Sequence, residues 1–136
     1  MDGAVVTPSV LVVDDHPTWR VTLGHLLNHK GARVVGDAAD GDAAVAAAEL
    51  LQPDVVLMDL DLPTIDGIEA TRRIRAGTSG ARVLMLSGVT DREAVDAAAA
   101  AGASGYLVKT TPMAEIAEGI RRVACGEQVF PNGVCP

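Results

Sequence analysis

Residues 55–67 read VVLMDLDLPTIDG. Four apolar residues, Val55 to Met58, are followed by Asp59, Asp61 and Asp66 within eight positions. An apolar, β-branched run of this length is that of a buried strand and is too short for a helix of its own. The cluster of carboxylates at its end needs an explanation, which depends on what the rest of the chain does.

Outward from this run, short segments of strand composition alternate with longer ones of helical period. Residues 10–13, 33–35, 55–58, 82–86 and 105–108 read as strands. Between them, Trp19, Leu23, Leu26 and Leu27 recur at helical spacing behind Pro17 and before Gly31. An alanine-rich helix is expected over residues 41–51, stopping before Pro53, and a less regular third one carries Ile65, Ile68 and Ile74 and ends near Gly77. A fourth follows Asp91 to Gly102, and a fifth begins at Thr111-Pro112 with Met113, Ile116, Ile120 and Val123 on one face. Strands alternating with helices imply right-handed crossovers and a parallel sheet covered by helices, a (βα)₅ chain.

Composition agrees. A chain of 136 residues with 49% hydrophobic content fits one core and one domain. Only 2% is aromatic, so Val, Leu, Ile, Ala and Met must fill that core, which leaves no platform for stacking bases. A net charge of -7 with no Lys/Arg run lacks the footprint of a phosphate-backbone binder, so DNA contact would need another domain. Cys125 and Cys135, without CxxC or Cys/His spacing, read as free thiols in a reducing compartment. No basic leader with a long apolar core opens the chain and no apolar run approaches ~18 residues, so a soluble, cytoplasmic protein without a membrane partner is expected. The Gly-, Pro- and Asn-dense text from Glu127 reads as a tail or the start of a linker, giving a division into residues 1–8, 9–126 and 127–136.

In an open parallel sheet, ligands bind outside the carboxyl ends of the strands. Asp14 and Asp15 end the first strand, Asp59 the third, Ser87 the fourth and Lys109 the fifth. Asp14 and Asp59 lie 45 residues apart, two βα units, while 28 and 22 residues, one unit each, separate Asp59 from Ser87 and Ser87 from Lys109. Crowded carboxylates raise one another's pKa unless a cation neutralises them, and hard oxygen ligands select Mg²⁺ or another hard divalent ion such as Mn²⁺. Asp59, central in this set, is the candidate nucleophile toward phosphorus, with Ser87 and Lys109 neutralising the transferred phosphoryl oxygens.

VLVVDDHP, VVLMDLDLPTIDG, VLMLSG and GASGYLVK together resemble the receiver domain of bacterial two-component response regulators, over residues 9–126. DDHP and RRVACGEQVFP resemble the NarL/FixJ subfamily in particular. The resemblance implies a flavodoxin-like three-layer sandwich with a five-stranded parallel sheet in the order 2-1-3-4-5. It implies that Asp14 and Asp15 hold Mg²⁺, that Asp59 is the phosphoacceptor, and that the Asp61 backbone carbonyl is a further ligand. Ser87 and Tyr106 become the switch pair, the tyrosine ring turning inward after the phosphoryl group, and Lys109 its ion partner. A sensor histidine kinase would be the donor, and the surface of the fourth helix, fifth strand and fifth helix would change, with homodimer formation on phosphorylation. Transcription would be controlled through a C-terminal helix-turn-helix domain absent from this chain. Two departures stand out: Thr110 follows Lys109 where many receivers have proline, and Asp61 adds a carboxylate at the mouth of the site.

Each signal also has a plainer reading. Asp14 and Asp15 taken alone suit a helix entrance, Asp66 a helix start, Tyr106 a half-buried sheet residue, His16 a turn in preference to a residue that tunes the adjacent acidic pair, and Trp19 helix packing. His25 and His29 stand at i, i+4 without an evident third ligand, a solvated pair. DLDLPT resembles the DxDx(T/V) signature of haloacid-dehalogenase-type phosphatases, in which Asp59 would be nucleophile and Asp61 general acid. Pro63 in the fifth position and the Asp pair upstream count against that enzyme. A receiver-shaped interaction module that works without phosphorylation is the third reading, disfavoured by the full set Asp14, Asp15, Asp59, Ser87 and Lys109.

Overall fold

The computed structural model describes residues 7–88 and 91–131. Cys135 and the ends of both terminal segments lie outside them; Cys125 is an exposed free thiol. Five strands, β1 (Ser9–Val13), β2 (Arg33–Ala38), β3 (Val55–Met58), β4 (Arg82–Ser87) and β5 (Gly105–Val108), alternate with five helices. The helices are α1 (Pro17–Asn28), α2 (Gly41–Leu51), α3 (Gly67–Ala76), α4 (Arg92–Ala100) and α5 (Met113–Ala124). All strand pairs are parallel, in the order β2-β1-β3-β4-β5, as the flavodoxin-like expectation requires.

The period-2 rule divides the core. Leu11, Val13, Val56, Met58, Val83 and Met85 face α2, α3 and α4, whose contacts are Ala44, Ala48, Ala70, Ile74, Val95 and Ala98. Val10, Val12, Val55, Leu57, Leu84 and Leu86 face α1 and α5 through Leu23, Leu27, Ile116, Ile120 and Val123. Central strands buried on both faces have no polar side, which is why β3 is an uninterrupted apolar run. Alanine on α2 and α4 lets those helices approach the sheet closely.

Two elements differ from the sequence reading. β2 continues through Gly36 and Asp37 to Ala38, residues of poor strand propensity that pair because β1 is beside them, with a register irregularity at Val10/Leu11. α3 starts at Gly67 and leaves Ile65 in the preceding loop, because the Asp66 carboxylate accepts from the Glu69 N–H and caps the helix there.

Candidate functional site

The register places the polar residues. Val13 of β1 is paired with Met58 of β3, so Asp14 and Asp59, the next residues, leave the sheet side by side. The Asp59 N–H donates to the Val13 carbonyl at 3.0 Å and the Asp14 N–H to the Ala38 carbonyl at 3.1 Å, extending the ladder under both carboxylates. On the other side Ser87 pairs with Val108, and the Lys109 N–H donates to the Ser87 carbonyl at 2.9 Å. Lys109 thereby reaches across β4: its Nζ lies 2.9 Å from Asp14 Oδ2 and 3.4 Å from Asp59 Oδ2. The Lys109–Thr110 peptide is trans, as are all peptides among the described residues.

The loop between β3 and α3 is held firmly. The Gly67 N–H donates to the Leu60 carbonyl at 2.8 Å, and a Cβ on Gly67 would fall 2.2 Å from the Asp59 carbonyl oxygen. Thr64, β-branched yet left-handed with φ 68°, accepts from the Asp42 N–H at the start of α2. The Gly41 N–H donates to the Pro63 carbonyl at 3.2 Å. Asp59 is therefore presented by a turn anchored to two helices.

Burial sets the electrostatics. Asp14, Asp59 and Ser87 are buried, Asp15 is partly exposed, and Lys109 is about a quarter exposed at 26%. Burial pushes the Asp59 carboxyl above its ordinary value, and the neighbouring charge of Asp14 adds to this; the Lys109 ammonium and the Asp61 N–H pull it back only in part. For Lys109, burial is the largest effect and lowers it, but the bonds to Asp14 and Asp59 together outweigh burial and hold the ammonium above its usual range. Tyr106 is fully buried and its hydroxyl is hydrogen-bonded to Ser87; burial pushes that hydroxyl up, against the Ser87 bond, and the charges of Asp91, Asp61 and Asp59 contribute.

Three carboxylates face one ammonium, so the cluster is short of positive charge. Asp14, Asp15, His16 and Asp59 offer ligand atoms all within 4.8 Å of one another. Asp15 Oδ1 is buried and accepts no hydrogen bond among the described residues, its polar neighbour being His16 Nδ1 at 3.1 Å. A buried carboxylate oxygen without a hydrogen bond, inside a cluster of carboxylates, is the state a cation relieves, and an oxygen-rich donor set suits a hard one. The residues present fit a divalent ion.

The response regulator receiver domain model matches residues 10–121. The chain belongs to this family. Response regulator protein VraR of Staphylococcus aureus is 39% identical over 126 residues, covering 92% of this chain and 60% of that protein. Thus the receiver spans less than two thirds of the curated relatives it matches. A two-component response regulator of the LuxR family from Aurantimonas sp. SI85-9A1 is 37% identical with a TM-score of 0.86, over 91% of this chain and 89% of that one. The signal receiver domain of the putative response regulator NarL from Mycobacterium tuberculosis is 33% identical, also at 0.86, over 89% and 98%. These matches agree with a NarL-like receiver and do not favour the phosphatase reading. The position of Asp61 points the same way: its backbone N–H faces Asp59, while its exposed side chain lines a groove of about 410 Å³ with Asp66, Asp91 and Glu93.

Other sequence candidates fall where the plainer readings put them. Asp66 caps α3, and Trp19 packs partly buried on α1 with its indole N–H unbonded among the described residues. His29 Nδ1 bonds the His25 carbonyl, and neither histidine joins a ligand cluster among the described residues. One contact has no counterpart in the sequence reading. Arg20 Nη1 donates to the Asp14 carbonyl at 2.7 Å, with Nε 3.7 Å from Asp37. Its position one turn into α1, behind Pro17, was the available signal. His16 Nδ1 lies 3.2 Å from Asp14 Oδ1 and 3.1 Å from Asp15 Oδ1, closer to the acidic pair than a turn residue needs to be.

Proposed function

We propose that this receiver accepts a phosphoryl group on Asp59 from the phosphohistidine of a sensor kinase. An Asp59 carboxylate oxygen attacks phosphorus as the bond to the donor histidine nitrogen breaks, one group per chain, followed by slow hydrolysis rather than turnover of substrates. Asp14, Asp15 and Asp59, with the Asp61 carbonyl, would hold Mg²⁺ or Mn²⁺, which when bound supplies positive charge for the phosphoryl oxygens. Lys109, already between Asp14 and Asp59, is placed to exchange a carboxylate contact for a phosphoryl oxygen. Ser87 donates to the new group and Tyr106, bonded to Ser87, holds the responding arrangement.

The unit is residues 9–126, acting in the cytoplasm. Its output is transcription through a C-terminal DNA-binding domain, with a homodimer formed on phosphorylation. For nearly complete control the phosphoryl group must favour the active arrangement by on the order of 3 to 5 kcal/mol. The observation that carries the reading is Lys109 bridging Asp14 and Asp59 at the ends of three different strands. Incubation with a small-molecule phosphodonor, with and without Mg²⁺, followed by mass spectrometry, tests it. One phosphoryl group is expected, Mg²⁺-dependent and lost in Asp59→Asn; stoichiometric labelling that survives Asp59→Asn would overturn the assignment.

A further inference from the structure

We infer that the edge of β5 is a docking site for the chain's own segment 128–130, and that its occupancy is coupled to phosphorylation of Asp59 through Tyr106. The coupling rests on the role given to Ser87 and Tyr106 above; the docking rests on geometry alone. β5 ends the sheet order, and an edge strand leaves a row of backbone groups unpaired. After α5 the chain turns through Gly126 at φ 96°, with the Glu127 N–H donating to the Arg122 carbonyl and Arg122 Nε paired with Glu127 at 3.0 Å. It then runs parallel to β5, toward the sheet end that carries Asp59. The Val129 N–H donates to the Ser104 carbonyl at 2.9 Å, and the Tyr106 N–H donates to the Val129 carbonyl at 2.8 Å.

The side chains alternate as those of a strand do. Val129 packs against the cluster containing Leu84, Ile116 and Ile120, and Phe130 against the opposite one, which contains Tyr106. Gly105 shows that the close approach is built in. Its φ is not positive, so it is not there for backbone freedom, but a Cβ at this position would lie 2.6 Å from the Val129 carbonyl oxygen and 2.8 Å from Leu84 Cδ1. A glycine inside a strand, at a cost in strand propensity, marks the approach of another backbone.

Tyr106 belongs to both systems. Its backbone N–H holds the segment, while the hydroxyl of its buried side chain is hydrogen-bonded to Ser87 at the end of β4. A phosphoryl group that fixes Ser87, and with it the already buried Tyr106, and a segment that bonds the Tyr106 N–H and packs Phe130 against the cluster containing that residue stabilise one arrangement. Linkage then requires each to strengthen the other by the same factor.

The test is amide hydrogen exchange by NMR on the full chain, with Mg²⁺ alone and with Mg²⁺ plus beryllofluoride as the phosphoryl mimic. The Val129 and Tyr106 amides are expected to exchange at least about fivefold more slowly with beryllofluoride, the lower end of ordinary coupling. Phe130→Ala is expected to weaken beryllofluoride binding by the same factor, with Phe130→Leu restoring most of it and unchanged exchange at Leu57 showing that the core is intact. Gly105→Ala, a second route to the same end, is expected to speed exchange at Val129. Beryllofluoride bound at Asp59 with no change at Val129 and Tyr106 would overturn the coupling and leave the site standing. Fast exchange at Val129 in both states would overturn the docking as well. Failure of beryllofluoride to bind the parent chain would overturn the site reading, and the coupling with it.

Discussion

Asp59 is a buried carboxylate beside a second one, and its pKa is raised from an ordinary 3.8 by burial first and by Asp14 next. With the folded value above the unfolded one, the folded chain favours the protonated form. This cost is absent below 3.8, grows as pH rises through the folded pKa, and is fully present at neutrality. Asp59→Asn in the presence of a chelator is therefore expected to raise Tm at pH 7, with the gain shrinking toward zero as pH falls below about 3.8. Calorimetry across pH checks this, and a loss of stability at neutral pH would contradict it. Asp61 carries the second residue-scale expectation. Its exposed carboxylate adds charge at the mouth of the site, so Asp61→Asn should change Mg²⁺ affinity and the lifetime of the acyl phosphate, by a few-fold given solvent screening. Titration calorimetry and a dephosphorylation time course measure both; no change in either removes a tuning role. At this scale the sequence was informative about the acids and Lys109, since their strand-end positions can be counted. It is silent on Arg20, and although His16 follows the acidic pair in the chain, neither contact can be measured from sequence, because both depend on the angle at which α1 leaves β1.

Among the elements, the junction of β3 and α3 holds the site in place. Gly67 sits in the first turn of α3 hard against the Asp59 carbonyl, at an ordinary φ, so the glycine is needed for space. Gly67→Ala would push α3 off the loop and is expected to cost about 2–3 kcal/mol or more, read as a lower urea midpoint. Asp66→Ala removes only the cap and should cost about 1 kcal/mol. If the two variants prove equally mild, the contact is softer than the geometry states. Most elements could be read from period and punctuation. Local propensity ends β2 at Val35 and draws Ile65 toward α3, whereas Gly36-Asp37 and Ile65 take their conformation from neighbours. The segment after α5 read as a tail for the same reason: GEQVFP is rich in turn residues, and only β5 alongside makes Val129 and Phe130 behave as a strand.

For the whole molecule, four crossovers bring groups from residues 14 to 109 to one sheet end, where negative charge exceeds positive. A ligand that binds only the folded chain stabilises it by mass action, about 2.7 kcal/mol at a hundredfold excess over Kd. Tm should thus climb with Mg²⁺ concentration in the parent chain and stay flat in Asp14→Ala. The most direct measurement is a crystal structure grown with Mg²⁺ and beryllofluoride. The expected result is beryllofluoride bonded to an Asp59 carboxylate oxygen, the cation bound by the Asp14, Asp15 and Asp59 carboxylates, and Lys109 on a fluoride. Density for the mimic on any other carboxylate, or a cation bound away from Asp14 and Asp59, would contradict it.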